Sequence, residues 1–312
     1  MFSLMRGSIP DAGNDPFEVI RKAASLGASE VTFYSLFELS PTLDPGALRE
    51  LKAEAARHGL AIAASLDWLN PLRLDRHARE LDLGNGELSR GVTKLLETGA
   101  VLGMREMFFT IGTLEDRAGN WGAQLDAVAE LLISLRPALA DLGMRALVKT
   151  HEEITSHECL ALVERVGPDA LGVSYDPVNM LVRIEEPVAA ARRLAPHIAQ
   201  IHIDDAMLTP EGDDSIRRHL VPCGKGVVDW PAILALVPQA KRMIELHNGQ
   251  FAMPVYNQDW LKTNPYIHPS EYAAIIGKAA ECGPFVTASG DPKADRLAAA
   301  LSLARTKRVA ER

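Results

Sequence analysis

Residues 144–153 read MRALVKTHEE, in which the apolar run Ala146-Leu147-Val148 delivers Lys149 and then Thr150, His151, Glu152 and Glu153. A buried strand that ends in ionisable side chains is usually aimed at something. The pattern recurs in GVSYDPVNM at 172–180, IHIDDA at 201–206 and MIELHN at 243–248. Each stretch sets a charged or ionisable residue where a strand would end: Lys149, Asp176, His202 and Glu245.

Outward from these stretches, short apolar or β-branched runs alternate with longer amphipathic ones. The patterning predicts strands at 3–5, 30–33, 61–65, 106–111, 145–149, 172–175, 198–203 and 242–246. Helices are predicted between them at 16–26, 45–58, 86–102, 123–142, 157–166, 187–194, 230–236 and 269–281. Asp15-Pro16 and Asp44-Pro45 read as helix starts, Gly27 and Gly59 as stops, and Ser156 as a cap for the helix near 157. Eight strand–helix units predict one (β/α)8 TIM barrel domain over 1–285, with 286–312 as a short C-terminal helical extension. A doubly wound open sheet is the alternative, weakened because no Gly-rich phosphate turn follows the first strand. In a barrel, chemistry belongs at the carboxyl ends of strands, where the four loaded stretches fall.

Bulk composition narrows the partners. The chain of 312 residues is 47% hydrophobic and 24% charged, with a formal net charge of -8 and no Lys/Arg block. That disfavours a nucleic-acid surface. Cys159, Cys223 and Cys282 lie far apart and form no CxxC, which favours a reducing compartment and offers no structural zinc site. No apolar run approaches eighteen residues and nothing reads as a secretory leader, so a cytoplasmic protein without a membrane partner is expected. The expected ligand is a small sugar-derived substrate, and the chain is compatible with a homo-oligomer.

Taken singly, the loaded residues have ordinary readings. Asp176 before Pro177 could cap a turn, and His202 could be a satisfied core histidine. Glu245 within MIEL is harder to dismiss, because an unpaired buried carboxylate is costly. Together, a carboxylate, an imidazole and a second carboxylate make an oxygen/nitrogen set suited to Mn²⁺, Mg²⁺, Co²⁺ or Zn²⁺.

The order SYDPVN, QIHIDDA, GKGVVDW, MIELHN resembles the sugar phosphate isomerase/epimerase superfamily, the xylose isomerase-like TIM barrels. The resemblance is clearest over 144–248. GKGVVDWPAIL (224–234) is similar to the family's Gly-x-Gly-x-x-Asp segment, and His202-x-x-Asp205 resembles its His-x-Lys-Asp, with Asp204 at the lysine place. The resemblance implies that strands five to eight supply Glu, Asp, His and Glu to a divalent metal, with Asp176, His202 and Glu245 at the last three positions. Asn179 falls where many members have histidine. Lys149 falls where the first glutamate belongs.

In the family the first and last glutamates flank the substrate and shuttle its carbon-bound proton. Lys149 therefore removes a base and a metal ligand together. It could stay a cation holding a carboxylate or enolate oxygen, act as a neutral amine, or bind an anionic sugar without metal. His151 or Glu152 could replace the lost ligand, although strand alternation gives only His151 the direction of Lys149. Decarboxylation of a 3-oxo sugar acid tolerates the lost base, because departure of carbon dioxide generates the enolate. The expected activity is such a lyase, working through a metal- and lysine-stabilised enediolate, with Lys149, Glu245 and His151 as catalytic residues. The resemblance is compatible with a 3-oxo-isoapionate decarboxylase-like member. The alternative is a metal-dependent ketose or sugar phosphate isomerase or epimerase, in which Glu245 and His151 share proton transfer. Phosphodiester cleavage is disfavoured by the acidic charge, and a sugar-binding protein remains a third class.

Substrate contacts are expected from Asn179, from His247, which would share the direction of Glu245, and from Arg217 and Arg218 in a loop after strand seven, near His219 and Lys225. Trp68, Asn70 and Glu38 are further candidates for the mouth. Lys241 and Arg242 read as solubility residues at the opposite end.

Overall fold

Buried, β-branched or aromatic segments of three to six residues form the barrel strands. They are β1 (Ser3–Met5), β2 (Glu30–Phe33), β3 (Ala61–Ala64), β4 (Glu106–Phe109), β5 (Arg145–Lys149), β6 (Leu171–Tyr175), β7 (Ile198–Ile203) and β10 (Lys241–Ile244). Between β7 and β10 lie β8 (Asp205–Glu211) and β9 (Ser215–Val221), and β11 (Phe251–Met253) follows β10. The computed structural model describes residues 1–282, 285 and 292–306. The eight parallel strands with their helices make the chain a (β/α)8 TIM barrel, the class its strand–helix alternation predicts.

Two compact units divide the chain: Met1–Lys149 with Ala161–Ser174, and Thr150–Leu160 with Tyr175–Arg312. In the first, β1, β2 and β3 pair in parallel, as do β4, β5 and β6, with Leu4 beside Val31, Val31 beside Ile62, Phe108 beside Leu147, and Lys149 beside Ser174. The β3-to-β4 junction is closed by the Leu66 N–H donating to the Phe108 carbonyl at 2.8 Å and the Leu69 N–H to Thr110 at 2.9 Å. These strands are buried on both faces, which explains their continuous apolar runs. Asp15 and Asp44 cap their helices at the Phe17 and Ala47 N–H groups, and Gly27 and Gly59 take positive φ (76° and 67°) after them, as the sequence predicts.

In the second unit β7 and β10 pair in parallel, with Met243 beside His202. The 205–221 segment, expected to be loop, is instead an antiparallel hairpin of β8 and β9, with β11 pairing β9. The alternating burial of β9 and the turn glycine Gly212 (φ 58°) account for the hairpin. The cap expected at Ser156 is one residue early. Thr155 Oγ1 accepts the Glu158 N–H at 3.1 Å while Glu158 Oε2 accepts the Thr155 N–H at 2.8 Å, a reciprocal capping box.

Beyond β11, Pro292–Ala304 is helical, within the stretch expected as a C-terminal extension; 286–291 and 307–312 lie outside the described residues. Arg242 is buried and donates to the Ala304 carbonyl at 3.2 Å and the Thr306 carbonyl at 2.7 Å. It therefore closes this helix's C-terminus, where a cation is favoured, and the solubility role expected for it is corrected.

Candidate active site

Asp176 follows β6 directly and is fully buried. Its N–H donates to Thr150 Oγ1 at 2.7 Å, and Asn179 Nδ2 donates to its Oδ2 at 3.0 Å and to the Thr150 carbonyl at 3.3 Å. Thr150 thus holds the Asp176 backbone and, through Asn179, its carboxylate. Lys149 itself ends β5 and is 3% exposed.

His202, on β7, is buried and pairs through Nδ1 with Glu245 Oε2; the same nitrogen lies 4.0 Å from Asp176 Oδ2. On the other side of the ring, Nε2 faces Gln200 Nε2 at 3.4 Å. Glu245 directly follows β10. One ligand atom from each of Asp176, His202 and Glu245 lies within 4.8 Å of the others. An imidazole nitrogen and two carboxylate oxygens this close together fit a divalent metal of the hard-to-borderline kind.

His247 adds to this cluster. Its Nε2 is 2.8 Å from Asp176 Oδ2 and 4.0 Å from Glu245 Oε2, and its Nδ1 is 3.1 Å from Asp204 Oδ2. Burial opposes charge on the ring, but Asp176, Asp204 and Glu245 outweigh it and raise its pKa to about 9. His247 is therefore a partner of the acidic cluster.

His151 lies beyond the end of β5, where 151–153 leave the strand, so strand alternation does not govern it. Its ring is held between Glu153 at Nδ1 and Glu152 at Nε2, both at 2.6 Å. Burial again disfavours the cation, yet the two carboxylates raise the pKa to about 10. A ring gripped at both nitrogens is poorly presented as a base. These three residues form a second group with ligand-capable atoms within 4.8 Å.

The two arginines point differently. Arg217 pairs with Glu211 within the hairpin, through both Nε and Nη2. Arg218 is fully buried and donates to the carbonyls of Val178 and Gly249, each at 2.9 Å, and to Asn179 Oδ1 at 3.1 Å. Asn179 is thereby engaged at both ends of its amide, and Arg218 braces Asn179 against Asp176. Both arginines belong to β9 rather than to a loop. His219 bonds Thr209 at 2.8 Å, and Lys225 is exposed. In the first unit, Arg76 lies over the Trp68 ring at 4.8 Å, Asn70 donates to Gln124 at 2.7 Å, and Glu38 pairs with Arg6.

The GKGVVDW segment has a local cause. The Asp205 carboxylate accepts the N–H groups of Gly224 (2.8 Å), Val228 (3.3 Å), Gly226 (3.4 Å) and Ala206 (2.8 Å). Burial pushes Asp205 up to about 6 against these donors. Asp229 then caps the helix Trp230–Leu236 at the Ala232 N–H.

Sequence reasoning missed Asp204 as a site residue and Arg296 altogether. Asp204 is 1% exposed and receives Arg296 Nη2 at 2.5 Å. The Asp-Asp pair in IHIDDA was a signal for Asp204; Arg296 lies 92 residues away and carried none.

Over 173 residues, 55% of this chain and 50% of the relative, the chain is 28% identical to the uncharacterized protein YihM of Escherichia coli (strain K12). Over 190 residues, 58% of this chain and 67% of the relative, it is 25% identical to a 3-oxo-isoapionate decarboxylase of Pectobacterium atrosepticum. The aligned stretch thus spans half to two thirds of these relatives. In fold it is similar to the D-psicose 3-epimerase of Clostridium cellulolyticum H10, with a TM-score of 0.63, 14% identity and 98% of both chains covered. A xylose isomerase-like TIM barrel protein of Mycobacterium smegmatis, solved with magnesium, matches with a TM-score of 0.59 and 18% identity over 88% of this chain and 97% of that one. Residues 20–263 match the family model of the xylose isomerase-like TIM barrel. The chain belongs to the xylose isomerase-like TIM barrel family.

Proposed function

We propose that the protein is a carbon–carbon lyase that decarboxylates a small 3-oxo sugar acid. The observation that carries the proposal is the residue that ends β5: it is a lysine, Lys149, where the family pattern puts a further carboxylate. The 25% identity to a protein named 3-oxo-isoapionate decarboxylase supports the same reading.

A divalent metal held by Asp176, His202 and Glu245 would supply positive charge at the ketone oxygen. In the reaction the bond between the carboxylate carbon and the α-carbon breaks, carbon dioxide leaves, and the electron pair passes into an enolate. Lys149, as an ammonium, donates a proton to the α-carbon and is re-protonated from water. Asn179, itself held by Arg218, and His247 both reach Asp176 Oδ2. His151, with both nitrogens occupied by carboxylates, is not a base in this scheme, which weakens a two-base epimerase.

The test is a panel of 3-oxo sugar acids and neutral ketoses with the Mn²⁺-loaded protein, following carbon dioxide and, in D2O, exchange at the carbon next to the carbonyl. One carbon dioxide per oxo acid is expected, and Lys149→Met should lower kcat about 10²–10⁴-fold. Efficient ketose epimerisation with no carbon dioxide from any oxo acid would replace the lyase with an isomerase.

A further inference from the structure

We propose that Arg296, on the helix Pro292–Ala304, is a positioning residue for the site, acting through Asp204 to set the His247 ring against Asp176. The inference rests on the reading of Asp176, His202 and Glu245 as metal ligands. Arg296 is 7% exposed, although the four residues before it are exposed. Its Nη2 donates to Asp204 Oδ2 at 2.5 Å and its Nε to Oδ1 at 3.3 Å.

Asp204 gathers the remaining donors. The His247 backbone N–H (2.9 Å) and Nδ1 (3.1 Å) both reach Oδ2, and the Asp205 N–H reaches Oδ1 at 3.0 Å. Among the described residues, its charged side-chain partners are Arg296 and His247. With Nδ1 committed to Asp204, the other ring nitrogen faces Asp176 at 2.8 Å. A carboxylate that fixes a histidine, which in turn contacts a ligand carboxylate, orients that ligand at one remove.

Removing Arg296 leaves Asp204 buried without its guanidinium, a costly state relieved by moving the carboxylate or the ring. Arg242 anchors the same helix at its far end, through the Ala304 and Thr306 carbonyls. The helix lies outside the family-matched residues 20–263, so this brace is an addition to the shared ligand set.

The experiment is a double-mutant cycle on the full chain, with Mn²⁺ affinity measured by calorimetry for wild type, Arg296→Ala, His247→Gln and the double variant. Arg296→Ala should weaken Mn²⁺ binding about 10–100-fold. The double variant should bind no more weakly than His247→Gln alone, because Arg296 acts through that ring. Arg296→Lys, which keeps the charge but not the two-point contact, should fall between wild type and Arg296→Ala and serves if the alanine variant does not fold. Wild-type affinity in the Arg296 variants, or losses that multiply in the double variant, would overturn the proposal. Wild type that takes no Mn²⁺ overturns the metal reading instead. The cycle is then read on unfolding of the metal-free protein, where non-additive losses uphold the Arg296–Asp204–His247 chain and additive losses reject it.

Discussion

Replacing Arg218 by methionine separates the two roles that a buried arginine beside this site could have. Arg218 makes three hydrogen bonds, to the carbonyls of Val178 and Gly249 and to Asn179 Oδ1, and its guanidinium lies 4.7 Å from the centre of the Phe251 ring. Bonds from a charged donor contribute about 1.5–3 kcal/mol each, so the three together contribute on the order of 5–9 kcal/mol. Opposing this, burial lowers the Arg218 pKa from 12.5 to about 10 even with Asp176 and Asp204 nearby. That fall corresponds to roughly 3 kcal/mol against the charged form. Methionine retains much of the aliphatic volume, so the net loss should be about 2–6 kcal/mol. Urea unfolding should show a lower midpoint at unchanged slope, with Tm lower by about 5–15 °C. Mn²⁺ affinity should also fall, since Asn179 loses the group that braces it against Asp176. A variant that unfolds at the wild-type midpoint and only raises KM for an acidic substrate would show that the guanidinium serves the substrate, as the sequence suggested, and would refute the bracing role.

Two further outcomes follow from buried groups in the same unit. Burial raises Glu185 to about 7 from 4.5, opposed by the Ser156 N–H at 2.9 Å and by Arg193. The folded state then holds the proton more tightly than the unfolded chain, so stability present below about 4.5 is lost as pH rises to about 7. Glu185→Gln should match wild type near pH 4 and exceed it by up to ~3 kcal/mol at pH 8; parallel stability–pH curves would count against this. Gly226→Ala would drive a Cβ into the Asp205 carboxylate and the Ala206 carbonyl. A loss of about 2 kcal/mol or more in denaturant unfolding is expected, and a neutral result would mean that the loop does not need Asp205's grip.

How far the sequence could be read is clearest at particular residues. Asp176, His202 and Glu245 were legible because each sits at or just past a strand end, and strand periodicity locates strand ends locally. Arg218 was misread because β8 and β9 look like a charged loop until paired; only the pairing buries one arginine and leaves its neighbour Arg217 half-exposed beside Glu211. His151 was credited with the direction of Lys149 because the sequence does not show that the strand stops at Lys149.

By itself the sequence determined the (β/α)8 class, the helix starts at Asp15 and Asp44, and the oxygen/nitrogen set of three strand ends. These follow from patterns within a few residues of chain. Tertiary structure alone decided that Arg218 braces Asn179, that both His151 nitrogens are taken by carboxylates, and that Arg296 reaches Asp204. A guanidinium or imidazole finds its partner by where folding buries it, and for Arg296 that partner lies 92 residues away, beyond any local pattern.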